Sequence, residues 1–383
     1  MRNLNIFLPT MVLLLFLNSC QSLEQISIDY LQPATLCFPD QIRKVAVVNN
    51  MSHTPDNKLT PQYEKPGANP SILSRATAIA NANARTATEV LAEEMAHHNY
   101  FDVVMICDSA LRAKDKIARE STLTQEEVRQ LSADLNADML IAIENLPFKA
   151  TKTVRYLPEF NCFQATAEAK TTPVIRIYLP ELSRPMNTIT PTDSLLWQEF
   201  GASPEEAASY LPSDSEILKG VAEYAGFIVA RHLVPTWDKG IRIIYTNGSV
   251  AMRDAAVYVR EDEWDKASHL WEQSFKESKS KKKIMKAAYN LAVYHEMKDR
   301  LSEAQQWAEK AHQLAKEIEK KSLLRTLQAS FEEVPYYYMT NNYLTELKKR
   351  NRDFPKLKVQ MNRFKEDFKK NWIADIFFFI PLK

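Results

Sequence analysis

Cys20 is the residue whose chemistry the sequence announces first. It follows a short basic start, Met1-Arg2-Asn3, an almost unbroken apolar run from Leu4 to Phe16, and then Leu17-Asn18-Ser19. The run, about 13 residues, is too short to cross a bilayer of roughly 30 Å as a helix, and it has the proportions of a signal-peptide core. A buried helix has no need of a small residue directly before a cysteine, so residues 1–19 are expected to be an export signal. Cys37, Cys107 and Cys162 remain. No Cys-x-x-Cys or Cys/His spacing among them suggests zinc. One disulfide stays open, while Cys107, within Val103-Val104-Met105-Ile106-Cys107, reads as a core thiol. The phosphate loop, Gly-x-Gly-x-x-Gly, His-Glu-x-x-His and Gly-x-Ser-x-Gly are all absent, and the chain has only six glycines. His97 and His98 are adjacent on an expected helix, where their side chains diverge by about 100° and do not easily share a metal. Glu144 and Asp108, near strand ends, are the weakest of site candidates, and neither is assigned. The sequence therefore leads to no catalytic residue, no metal ligand and no enzyme.

Leu17-Asn18-Ser19-Cys20 resembles the bacterial lipobox, whose cysteine is acylated and becomes the first residue of the mature protein. That resemblance implies a covalent lipid on Cys20 and no other cofactor. Gln21 is not the aspartate that often retains lipoproteins in the inner membrane, and Gln21–Gln25 lacks the adjacent acidic pair of a surface-export tag. The implied location is the outer membrane, facing the periplasm.

Removing residues 1–19 leaves enough chain for two or three domains. Residues 1–240 carry 21 Lys+Arg against 28 Asp+Glu, and residues 241–383 carry 28 against 20. This split argues for two units of different material. An exported protein meets little nucleic acid, so the basic half points to anionic headgroups or an acidic protein.

In the first half, Lys44–Val48 has a buried-strand pattern ended by Asn49-Asn50. A polar loop, Met51–Asn69, carries Pro55, Pro61, Pro66 and Gly67, and Asn69-Pro70 looks like a helix cap. Apolar positions from Ile72 to His98 recur near a 3.6 period, which predicts one long helix. Phe101–Cys107 reads as a strand, Thr124-Gln-Glu-Glu127 opens a helix through Leu135, and Asp138–Ile143 reads as a third strand. The order predicts a mostly parallel α/β arrangement. Residues 147–200 read as β-hairpins, and Glu216–Leu233 as an amphipathic helix stopped by Pro235.

"RKVAVV", an alanine-rich helix, "YFDVV", and a short helix leading into "LNADMLIAI" resemble the small α/β domain of curli-secretion (CsgG-like) lipoproteins and the amino-terminal domain of TolB. The resemblance covers roughly residues 40–200 and rests on order and spacing. In the curli-type pores, segments like 147–200 help build a membrane barrel. Here Lys149, Lys152, Glu168 and Lys170 interrupt the faces that would meet lipid, so an ordinary extended sheet is expected.

In the second half, Ala251-x2-Asp254-Ala255-x2-Tyr258 with Trp264, Ala267 and Trp271 is one helical hairpin, and Ala288-x2-Leu291-Ala292-x2-His295 with Leu301, Ala304, Ala308 and Ala311 is another. Both resemble tetratricopeptide (TPR) repeats, with an offset of 37 residues and the extra length in Lys276–Lys283. Two repeats bury little alone, so Ile241–Tyr245 and residues 318–332 are expected as caps. The resemblance implies a concave partner-binding groove lined by Lys286, Tyr289, Val293 and Glu296, although Tyr289 and Val293 equally suit a core. A basic tail from Tyr336 ends in the apolar Ile376–Ile380, expected to dock as an edge strand or to close the helical stack rather than rest on a membrane.

The expected fold is therefore α+β/α: signal peptide 1–19, tether 20–40, α/β domain with hairpins 41–240, TPR-like helices 241–335, and basic tail 336–383. The whole resembles Bacteroidetes-type lipoproteins that combine these parts. The implied function is a membrane-anchored, non-enzymatic scaffold that recruits an envelope protein or peptide. An oligomeric curli-type channel component is the alternative, and an envelope hydrolase, with no motif behind it, the third.

Overall fold

The computed structural model describes residues 23–51, 59–63, 71–107, 109–112, 122–322 and 335–364. Cys20, Asp108, the Asn69-Pro70 cap, most of the Met51–Asn69 loop, most of the expected cap at 318–332 and Ile376–Ile380 lie outside the described residues. The chain forms two compact units, one of Pro33–Thr236 with the segment from Val359, the other of Trp237–Lys358 with the segment up to Gln32. An amino-terminal mixed-sheet region followed by helices makes the protein α+β.

β1 (Leu23–Gln32) belongs to the second unit, and the α/β unit begins with β2 (Lys44–Asn49). β3 (Gln62–Tyr63) and β4 (Ile72–Asn81) lead to α1 (Ala84–His97), then β5 (Val103–Ile106), α2 (Gln125–Asp134) and β6 (Met139–Asn145). β2 lies between β5 and β6 and is parallel to both, as the strand–helix–strand order predicts. Its side chains alternate between two cores. Val45 and Val47 face α1 residues Leu91 and Met95, whereas Ala46 and Val48 face Val128 of α2. A strand covered on both faces has to be apolar at every position, which is why Val45–Val48 reads as an unbroken run. Thr124 caps α2 in a capping box with Glu127, as its sequence predicts.

The predicted helix over Ile72–His98 is corrected. Its first ten residues form β4, and the helix starts only after Asn83, whose side chain accepts from the backbone N–H groups of Arg85 and Thr86. Ala76 and Ala80 fit a helical period, but with Ala78 they also alternate, and alternation wins because β4 pairs with β7 (Pro147–Leu157) over nearly its whole length.

β8 (Cys162–Thr171), β9 (Val174–Tyr178), β10 (Asn187–Ile189), β11 (Asp193–Gly201), α3 (Pro204–Ser209) and α4 (Asp214–Leu233) complete the unit. One sheet runs β10-β9-β6-β2-β5 and the other β11-β8-β7-β4-β3. Ala78, Ala150, Ala167 and Ala169 turn one face of the second sheet into the core that α4 shares. Where α4 crosses α1, a Cβ on Gly226 would meet the Ala87 carbonyl oxygen at 2.7 Å and the Leu91 nitrogen at 2.9 Å, so only glycine fits.

Residues beyond the second unit close the first. Arg363 is 2% exposed. It donates to the carbonyls of Tyr100 (2.9 Å), Pro39 (3.0 Å) and Ile42 (3.1 Å), with its guanidinium over the Tyr100 ring at 4.1 Å. The Gln360 side chain pairs with both backbone groups of Ala34 at 3.0 Å.

The second unit contains β1 (Leu23–Gln32), β12 (Thr236–Tyr245), α5 (Val250–Arg260), α6 (Trp264–Glu277), α7 (Lys281–Met297), α8 (Leu301–Ser322) and α9 (Tyr336–Gln360, within the unit as far as Lys358). Three expectations are corrected here. Residues 23–32 of the expected tether are a strand that pairs with β12. Ile241–Tyr245, expected as a helical cap, is part of that β12 strand, because Ile241, Ile243 and Arg242, Ile244 alternate between exposed and buried sides. Residues 336–364 of the expected tail are helical, with Tyr343, Leu344 and Leu347 in the core. Trp264, Trp271, Ala267, Ala288, Ala292, Ala304 and Ala308 fill the spaces between successive helices.

Arg363→Ala would remove the donor that ties the Tyr100, Pro39 and Ile42 carbonyls together and leave the buried Tyr100 carbonyl without it, at a cost of about 2 kcal/mol. A thermal melt that follows the α/β unit should show a clear drop in midpoint, while Arg352→Ala, on an exposed part of α9, should not.

Candidate functional site

Lys286, Tyr289, Val293 and Glu296 are brought together on one face of α7, but that face is closed. They are 7%, 4%, 0% and 1% exposed. The groove expectation is corrected because β12 and α9 of the same chain occupy it. Asn290 grips β12, accepting from the Tyr245 N–H and donating to the Tyr245 carbonyl, both at 2.8 Å. Lys286 donates to Asn247 Oδ1 at 2.5 Å and lies over the Tyr245 ring. Tyr289 packs between Tyr245 and Tyr343.

Glu296 is the hub. Its carboxylate accepts from Arg242 Nε and Nη2, both at 2.9 Å, from the Tyr343 hydroxyl at 2.8 Å, and from Arg350. Arg242 Nη1 also meets Glu346 at 2.8 Å. Burial raises the pKa of Tyr343 and Tyr289, so both stay neutral. Nothing in the sequence singled out Arg242 or Arg350. The available signal was one arginine inside the apolar alternation Ile241-Arg242-Ile243-Ile244, a position that demands a buried partner.

A second polar cluster sits where the parallel strands end. From β2 the chain crosses to β5 on one side and then to β6 on the other, and ligands in open α/β sheets favour this switch point. Glu144, named by the sequence and left unassigned, is buried here. It accepts from the Tyr178 hydroxyl (2.8 Å) and Asn50 Nδ2 (2.7 Å), with Arg176 Nη1 at 3.5 Å. Asn50 in turn accepts from Arg112, which is paired with Glu127 at 2.8 Å. Burial raises the Glu144 pKa above its usual value of 4.5 despite these partners. The carboxyl side chain is only 1% exposed, and each oxygen is already engaged, so the cluster holds the strand ends together instead of meeting a substrate. Among the described residues no group of three or more His, Cys, Asp or Glu side chains is placed to hold a metal. Cys37, Cys107 and Cys162 are free thiols; Cys107, just past the end of the edge strand β5, is half-buried and packs against the core that Val128 of α2 shares.

The open surface lies on the second sheet. Its face away from the core carries, in register across four strands, Ile79, Lys149, Lys170 and Ser194. The next row is Thr77, Thr151, Glu168 and Leu196, and the third is Arg75, Thr153, Thr166 and Gln198. Ile79 is 79% and Leu196 63% exposed. Lys149 and Lys170 are direct cross-strand partners, both exposed, and neither has an ion-pair or hydrogen-bond partner among the described residues. Like charges directly opposite destabilise a sheet. The sequence marked these lysines only as interruptions; their juxtaposition depends on strand register.

Two families match the chain. One is described as Domain of unknown function (DUF8603), over residues 42–245, and the other as Domain of unknown function (DUF6340), over residues 253–349. No curated protein matches.

Glu296→Ala would leave the buried Arg242 guanidinium with only the outlying Glu346 carboxylate and take from Arg350 its buried one, a loss of about 3 kcal/mol or more. Denaturant titration should show the helical unit unfolding early. Glu144→Gln tests the second cluster. A carboxyl whose folded pKa lies above 4.5 favours folding least when ionised, so wild-type stability relative to the variant should fall as pH rises through and above 4.5. A pH-independent difference between the two would contradict the assignment.

Proposed function

We propose, for a chain that belongs to the DUF8603 family, the role of a lipid-anchored, non-enzymatic scaffold that presents its second sheet to an acidic protein partner. The anchor is Cys20, on the strength of Leu17-Asn18-Ser19-Cys20 after a signal-like segment. The outer membrane, facing the periplasm, is the location that Gln21 suggests. The helical unit is read as tetratricopeptide-like, supported by alanines at the crossings of α5–α8 and by the 37-residue offset. The α/β unit is read as related to CsgG and TolB amino-terminal domains, supported by the parallel β5-β2-β6 core.

One observation carries the partner surface: Lys149 and Lys170 opposed on an open sheet face beside Ile79. Keeping an arrangement that costs stability makes sense where an anionic surface meets it. The curli-type channel reading has strands of suitable length, since β4, β7, β8 and β11 have 10, 11, 10 and 9 residues. Their only face not packed in the core, however, carries Arg75, Lys149, Arg155, Glu168 and Lys170. Each Lys or Arg costs about 2–4 kcal/mol at a bilayer midplane, which weighs against insertion.

The test separates stability from binding. Lys149→Glu turns a repulsive pair into an attractive one and should raise stability by about 0.5–1 kcal/mol. The same substitution should abolish the adduct formed in cells by a photo-crosslinking amino acid at Leu196. Unchanged adducts in Lys149→Glu would contradict the proposed surface.

A further inference from the structure

The ribbon of β1 and β12 has an outward face that the scaffold reading leaves unused. On β12, Gly240, Arg242 and Ile244 are buried, while Trp237, Lys239 and Ile241 alternate outward. Trp237 is 68% and Ile241 66% exposed. On β1, Ile28 points into the helical core, and Leu23, Gln25, Ser27 and Asp29 point out. Lys239 Nζ lies 3.8 Å from Asp29 Oδ1, so the charged pair on this face cancels. Trp237 and Ile241 thus sit on a face of no net charge, whereas the exposed Ile79 and Leu196 of the second sheet share theirs with Lys149 and Lys170.

The length of chain before β1 says what covers this face. Only Gln21 and Ser22 separate Cys20 from Leu23, the first residue of β1. Three residue steps reach at most about 10 Å. If Cys20 is acylated, the start of β1 cannot leave the headgroup region, and a ten-residue strand extends from it for about 33 Å. We infer that the outward face of the β1–β12 ribbon rests in the headgroup layer of the anchoring membrane, with Trp237 and Ile241 at the depth where amphipathic rings and aliphatic side chains partition. The inference rests on the Cys20 anchor. It assigns the ribbon a lipid partner and leaves the second sheet for the protein partner.

The experiment uses full-length protein made with its own leader, purified in mild detergent and placed in phosphatidylcholine vesicles whose acyl chains are brominated near the headgroup. Mass spectrometry of the amino-terminal peptide reports on Cys20. The chain has six tryptophans, so the Trp237 signal is the emission difference between wild type and Trp237→Phe. The expected result is an acylated Cys20 and a difference signal that is blue-shifted in plain vesicles and largely lost in brominated ones. An acylated Cys20 with a difference signal equal in both lipids overturns the ribbon contact and leaves the anchor standing. An unmodified Cys20 overturns both. Ile241→Ser provides a second reading: it should reduce the quenching of Trp237 without changing the melting of the helical unit.

Discussion

A carboxylate buried at Glu296 cannot exist in this helical unit without its counter-charges, and that requirement organises the unit. Arg242 comes from β12, Tyr343 and Arg350 from α9, and the three reach one side chain from sequence positions separated by about a hundred residues. An ion of this kind, unpaired, costs several kcal/mol. Held by two guanidinium groups and a hydroxyl, it fixes where β12 and α9 lie against α7. The helix hairpins alone would have an open inner face, and the chain fills it from both ends.

That closure changes what the molecule can offer to others. With Lys286, Tyr289, Val293 and Glu296 all interior, the proposed recognition has to use surfaces the packing leaves bare. Two such surfaces have contrasting chemistry. The second sheet is cationic, with lysines opposed across β7 and β8. The β1–β12 ribbon is neutral and apolar, with Trp237 and Ile241 outermost. One suits an acidic macromolecule and the other the interface of a lipid layer.

Much of this was legible in the sequence wherever local physics decides. The β-branched run Lys44–Val48, the capping box at Thr124 and the hairpin of β7 and β8 within residues 147–200 each became the element their pattern predicts. Ile72–Asn81 misled because small residues satisfy helical and strand periods alike, and pairing with β7 is a tertiary fact. The four α7 residues were correctly grouped on one face, but whether that face is groove or core depends on Arg242 and Arg350. Those arginines acquire meaning only when distant segments meet. Lys149 and Lys170 are a similar case: each is ordinary alone, and only the register of a hairpin makes them a pair.

Amide hydrogen exchange on the full-length protein tests the closed inner face most directly. The Tyr245 amide and those of Tyr343–Leu347 should exchange only through global unfolding of the helical unit, at the rate of the slowest amides in α7. If Tyr343–Leu347 exchanged orders of magnitude faster while α7 stayed protected, α9 would be a detachable cover, and the groove of the helical unit would again be open to a partner.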